Sequence, residues 1–117
     1  MRHLKKGKKF HRLTGPRRAF LRNLTKDLIR HGRIETTETR AKAIRPIVER
    51  MITFAKRENL TSRRVLISRL QDKAVVKKLI EDVAPRYRER HGGYVRIVKS
   101  GKNRKRDGAR VAVIEFV

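Results

Sequence analysis

The side chains able to do covalent or acid–base chemistry are few in this sequence and badly spaced for it. There is no cysteine among the 117 residues, which removes disulfides, thiolate zinc sites and thiol nucleophiles together. His3, His11, His31 and His91 fall in no HxH or HxxxH spacing, so neither a metal pair nor an acid–base pair is encoded. A metal-dependent nuclease converges several carboxylates on its cations. The one adjacent acidic pair, Glu81-Asp82, lies in a helical pattern that points the two side chains in different directions. No phosphate-cradling GxxxxGK[ST] run occurs, and Gly92-Gly93 is too little to make one. The sequence predicts no enzyme, no cofactor, no bound metal and no small-molecule substrate.

The chemistry it does carry in quantity is cationic. Thirty-four Lys and Arg against 11 Asp and Glu leave a net charge of +23, a self-repulsion that a free globular protein has no use for. A dense polyanion relieves it, because each phosphate neutralised releases condensed counterions. Nucleic acid is therefore the expected partner. The densest run opens the chain: Arg2, Lys5, Lys6, Lys8, Lys9 and Arg12 with His3 and His11 between them, and no acid before Asp27. Aromatics make up 5% and tryptophan is absent, so recognition should rest on phosphate, ribose and shape contacts rather than on aromatic platforms for bases. A DNA-compacting protein would add a dimer interface or apolar wedges, and neither stands out in the basic segments. A membrane-surface protein would need a large exposed apolar helix face. No apolar run is long enough to span a bilayer and no export signal follows the basic start, so a cytoplasmic protein is expected.

These cations need elements to hold them. Residues 1–15 read as a basic extension and 16–117 as one globular domain. After Thr14-Gly15-Pro16, a helix over about 16–31 carries an apolar stripe of Phe20, Leu21, Leu24 and Leu28. Arg18, Arg22, Lys26 and Arg30 recur on its opposite side as a basic rail, and Gly32 ends it. Residues 33–37 read as a strand whose threonines can cap the next helix, over about 39–58, which Pro46 should kink. Pairs at i,i+4, Glu38/Lys42 and Arg45/Glu49, mark that helix as ordinary surface. Helices over about 62–70, capped by Thr61 or Ser62, and 73–83, capped by Asp72, follow; Pro85 stops the second. Strands over about 94–99 and 110–116 form a hairpin joined by a long basic loop at 100–108. The extension and this loop are expected to be mobile in the free protein. Deleting residues 2–12 is expected to spare the fold, and Leu24 and Val113 are taken as core positions.

The ordered motifs resemble one family across essentially the whole chain. They run from Met1-Arg2-His3 with Lys5 and Gly7, through Ala19-Phe20-Leu21-Arg22-Asn23, to Arg33-Ile34-Glu35-Thr36-Thr37 followed by Ala41-Lys42-Ala43. They continue with Ile52-Thr53, Ala55-Lys56, Arg63-Arg64 and Ala84-Pro85-Arg86-Tyr87, and close on Gly92-Gly93-Tyr94, Arg96-Ile97 and Ile114-Glu115. The chain is similar to the seventeenth protein of the bacterial large ribosomal subunit. It departs from that pattern at Leu13-Thr14-Gly15-Pro16, usually a polar serine-and-histidine stretch, and at Pro46, commonly arginine. The resemblance implies an α+β, two-layer fold: a three-stranded mixed sheet with the last strand central, and helices on one face. It also implies a structural role in the large subunit near the nascent-chain tunnel exit, with ribosomal RNA and neighbouring ribosomal proteins as partners. Charge and resemblance together select the RNA-binding candidates. In the extension these are Arg2, His3, Lys5, Lys6, Lys8, Lys9, His11 and Arg12, and on the first helix Arg17, Arg18, Arg22, Asn23 and Lys26. Beyond them come Thr36, Thr37, Arg63, Arg64, Arg86, Arg96, Lys99, Lys102, Arg104, Lys105 and Arg106.

Overall fold

The computed structural model describes residues 8–117, so the candidates Arg2, His3, Lys5 and Lys6 lie outside the described residues. The elements are α1 (Thr14–His31), β1 (Arg33–Thr37), α2 (Glu38–Lys56), α3 (Leu60–Leu70), α4 (Lys73–Lys78), β2 (Val95–Asn103) and β3 (Arg110–Phe116). Between α4 and β2 the chain makes a π-helical turn, Leu79–Val83, and a 3-10 turn, Ala84–Tyr87. The α+β class and the one-sided helical layer are as expected.

α2 is the spine of the domain. It touches α1, α3, the π and 3-10 turns and all three strands. Ala41, Ile44, Val48, Met51, Ile52 and Ala55, the apolar stripe visible in the sequence, are all buried, while Pro46 sits exposed within the continuous helix. Thr37 caps it, its hydroxyl oxygen accepting from the Arg40 N–H at 3.3 Å. Leu28 and Ile29 of α1, Leu66 and Leu70 of α3, and Val76 and Leu79 complete the helical side of the core. Leu24 is only partly buried against that core. α1 stops at Gly32, whose φ of +78° is the left-handed value an L side chain resists, with its N–H on the Leu28 carbonyl at 2.8 Å.

Two boundaries and one pairing differ from expectation for identifiable reasons. Asn59, not Thr61 or Ser62, caps α3: its side-chain oxygen accepts from the Ser62 N–H at 2.7 Å, which leaves Ser62 buried in the first turn. The helix begun at Asp72 abandons α geometry after Lys78, because Pro85 has no N–H to donate and its ring collides with the carbonyl four residues back. The wider π turn keeps Val83, Ala84 and Tyr87 on the buried side. Glu49 does not pair with Arg45. Its carboxylate accepts from the Tyr94 N–H at 3.0 Å and the Val95 N–H at 3.2 Å, fastening the start of β2 to the spine.

The sheet order is β1-β3-β2, which puts the last strand in the centre as implied. Both neighbouring pairs are antiparallel, Arg33 facing Glu115 in one and Val95 facing Phe116 in the other, so the expected mixed sheet is corrected. β1 and β2 do run in the same direction. They never touch, because β3 lies between them. β2 also extends beyond residue 99 to Asn103 with a bulge after Lys99, which shortens the expected open loop.

Side chains alternate across this sheet. Ile34, Ile97 and Ile114 occupy one row facing the helices, with Ala112 also buried on that side. Val113 belongs to the other face, opposite Glu35 and Val98, and is half-buried. The run Val111-Ala112-Val113-Ile114 is apolar on both faces, so its pattern does not say which side is core; the choice of Val113 is corrected to Ile114. A carboxylate at 114 would be buried unpaired, so Ile114→Asp should cost at least about 4 kcal/mol and abolish cooperative unfolding. Val113→Asp should cost about 1–2 kcal/mol and leave a folded chain. Thermal melts by circular dichroism compare them directly.

Asp72 joins two elements, α4 and α1. One carboxylate oxygen accepts from the Ala74 and Val75 N–H groups of α4, and the other lies 2.7 Å from Arg30 and 3.9 Å from Lys26 of α1. The backbone bond from Val75 draws its pKa below the ordinary aspartate value; desolvation opposes this, and the hydrogen bond and charge of Arg30, then Lys26, reinforce it. A depressed carboxylate pKa contributes stability that is complete above the unfolded value and is lost as pH falls through the folded one. Asp72→Ala should therefore melt earlier than the parent at neutral pH, and the gap should close as the pH is taken below the aspartate range. Asp72→Asn, which keeps a capping oxygen but no charge, should fall between them.

Candidate nucleic-acid interface

Sorting the cations by what they already touch divides the candidates. Much of the basic rail on α1 is used internally. Arg22 donates to the Arg69 carbonyl at 3.0 Å and the Gln71 side chain at 3.1 Å, and Lys26 and Arg30 face Asp72. The rail's acids are Asp72, far along the chain, and Asp27 on the same helix, 3.7 Å from Arg30. Arg86 pairs with Asp82 at 3.2 Å, and Arg96 with Glu115 at 2.8 Å in a row that Arg33 completes across the sheet. Thr37 is spent as a helix cap, and Thr36 is half-buried opposite Ala112. Arg18, Asn23, Arg63 and Arg64 are exposed on their helices.

The hairpin end is built to hold charge outward. Asp107 takes a two-pronged bond from Arg104 and accepts from the Ala109 N–H at 3.1 Å, while the Arg104 N–H reaches the Ala109 carbonyl at 2.9 Å. Arg104 is the principal cause that Asp107 sits below the ordinary aspartate pKa. Around this brace Lys102, Lys105 and Arg106 are exposed, with no carboxylate within 4 Å among the described residues.

At the hairpin base Glu38 gathers cations that would otherwise repel. Lys42 bonds it at 2.8 Å and Lys99 stands 3.7 Å away. The Lys42 hydrogen bond lowers its pKa, opposed by desolvation and helped by the charges of Lys42, Lys99 and Arg110. Lys8 lines the same recess as Lys42, Ala109 and Arg110, so the root of the extension meets the base of the hairpin. Lys42 and Arg110 were not among the sequence candidates. A local Glu38/Lys42 pair hides the first, and the second is brought in only by strand pairing.

The extension is also tied down at its root. Arg12 N–H bonds the Lys9 carbonyl at 3.1 Å, closing a turn whose central residues Phe10 and His11 have φ of +53° and +54°. Both values lie where glycine or asparagine is favoured, at about 1–2 kcal/mol each for an L residue. The compensation is visible: Phe10 and Phe20 lie 5.5 Å apart, and the Arg12 and Arg40 guanidinium groups stand 3.9 and 5.0 Å from the Phe20 ring centre. Phe20 thus serves the extension rather than the core stripe, and Arg12 braces a turn. A deletion of residues 2–12 would remove part of this packing. Lys8, Lys9 and His11 remain exposed around it.

Among the described residues no group of His, Asp and Glu is placed to hold a metal ion, and no helix is long and apolar enough to cross a membrane. The family model described as Ribosomal protein L17 matches residues 20–117. A large ribosomal subunit protein bL17 of Clostridium beijerinckii is 54% identical over 104 residues, 89% of this chain and 91% of that one. The protein of the same name from Thermus thermophilus is 47% identical over 117 residues, 100% of this chain and 99% of its own. That of Caldanaerobacter subterraneus is 54% identical over 110 residues, covering 94% and 97%. With a family model spanning the folded body and identities of this size over nearly the full length, the chain belongs to the ribosomal protein L17 family.

Proposed function

We propose that this chain binds folded large-subunit ribosomal RNA through phosphate, ribose and shape contacts, and so stabilises its architecture near the nascent-chain tunnel exit in the cytoplasmic ribosome. As a member of its family it is a structural ribosomal component and not an enzyme. Neighbouring large-subunit proteins are its expected protein contacts. The observation that carries the reading is the braced hairpin end, where Lys102, Lys105 and Arg106 are exposed around a frame that engages Asp107. Lys8 and Lys9 add charge from the extension, whose root meets the hairpin base. Preformed cations of this kind bind a polyanion with little ordering cost.

Binding should be steeply salt-dependent. For roughly 6–10 phosphates neutralised, affinity should fall on the order of a thousandfold or more from low to physiological salt. Replacing Lys102, Lys105 and Arg106 together by Gln should weaken binding to large-subunit RNA and reduce the slope of log affinity against log salt by about 2–3. Arg96→Gln, which removes a cation already neutralised by Glu115, should leave that slope within about half a unit of the parent. Filter binding across a salt series, with melts to show that both variants fold, reads the difference. A flat titration of the parent chain would remove the electrostatic mechanism.

A further inference from the structure

The turn at the root of the extension is more elaborate than a phosphate contact needs. A lysine or arginine reaches a phosphate from any flexible backbone, and Lys8, Lys9 and Arg18 do not need strained neighbours to do so. Here two consecutive non-glycine residues are held in the left-handed region, and one of them is a bulky aromatic. Such positions persist only where the surroundings over-determine them, and they concentrate at ligand-holding sites. The surroundings are specific: the Arg12 side chain donates to the Phe10 carbonyl at 2.9 Å while its guanidinium lies against Phe20, and Arg40 approaches the same ring. What the turn presents is an open recess of about 510 Å³ lined by Lys9, Phe10, His11, Arg12 and Leu13. Leu13 is 81% exposed, the highest value among the exposed large hydrophobic residues. An apolar side chain left in water beside a half-buried aromatic, ringed by cations, has the composition of a stacking site for a base whose backbone is held by charge.

We propose that this recess takes one unpaired nucleobase of the bound RNA, stacked on Phe10 and flanked by Leu13, with Lys9 and His11 placed for the adjoining phosphates. The proposal rests on the reading that the chain binds ribosomal RNA and adds to it a contact of a different kind. Stacking is accessible to any base with a π face and releases no counterions, so it should contribute affinity without contributing to the salt slope. It also gives the left-handed turn a purpose: the turn brings Phe10 and the exposed Leu13 to line one recess.

The test uses the full chain and large-subunit ribosomal RNA. Phe10→Leu keeps an apolar contact for Phe20 and removes the stacking face. It should bind about five- to a hundredfold more weakly at fixed salt, with the salt slope unchanged. Ultraviolet irradiation of the parent complex should join one nucleotide to the peptide that contains Phe10, as read by mass spectrometry. An RNA fragment made abasic at that nucleotide should bind the parent chain as weakly as intact RNA binds Phe10→Leu, and should weaken Phe10→Leu no further. The abasic RNA leaves the protein untouched, so this comparison decides even if the variant melts early. Equal binding of abasic and intact RNA by the parent, or no adduct at the Phe10 peptide, would overturn the base site while salt-dependent binding stood. Absence of any salt-dependent binding by the parent would instead sink the broader reading.

Discussion

Scarcity of negative charge governs how this protein is built. With 11 carboxylates for 34 cations, negative charge is scarce, and the structure places several of the carboxylates where separate elements meet. Asp72 joins the start of α4 to α1, Glu49 joins α2 to the start of β2, and Glu38 quiets three cations where α2 leaves the sheet. Asp107 closes the hairpin end, and Glu115 links two arginines across the three strands. An exposed ion pair contributes little by itself. Here each carboxylate removes repulsion at a junction and satisfies backbone donors or fixes a geometry as well. The cations left over are those that face outward.

The same economy explains the hub role of α2. Three strands and four helices make a small domain, and a core of this size gains from one element that touches most of the others. α2 meets α1, α3, the π and 3-10 turns and all three strands with a stripe of small and branched residues, including Ala41 and Ala55, that lets these neighbours approach closely. The sheet gives the spine one face and leaves the other open. On that open face Arg33, Glu115 and Arg96 form a neutralising row beside Val98 and Val113. Its charge is largely settled internally, unlike that of the hairpin end.

Periodicity made the helices, the strands and the identity of the buried α2 face legible from sequence, since burial at i, i+3, i+4 and i, i+2 leaves a local record. Pairings between distant residues leave none. That Arg22, Lys26 and Arg30 would meet Gln71 and Asp72, or that Glu49 would take the Tyr94 amide instead of Arg45, depends on how α1, α2 and the later elements dock. The sidedness of Val111 to Ile114 failed for another reason, because apolar residues fill both faces of the central strand. Strand direction was obscured as well: β1 and β2 are parallel in sense, and only the position of β3 between them makes every contact antiparallel. Of the candidate site, the hairpin cations were legible from charge density alone, whereas Arg40, Lys42 and Arg110 entered only through tertiary placement.

Side-chain chemistry bears on which cations the carboxylates hold, although Arg18, Arg63, Arg64 and Arg106 also stand exposed. Most cations held by carboxylates are arginines, namely Arg30, Arg33, Arg86, Arg88, Arg96 and Arg104, against Lys26, Lys42 and Lys99. A planar guanidinium has fixed donor directions and loses less freedom per bond, so it suits a junction whose geometry must be kept. An ammonium on a flexible stem is a strongly hydrated point charge that follows an irregular phosphate backbone. Lys8, Lys9, Lys102 and Lys105 stand exposed, available for that role under the proposed function. Arg12 belongs with the first group although it lies in the basic extension, because its plane rests on Phe20 and its donor on the Phe10 carbonyl. The described root of the extension is therefore architecture as well as charge.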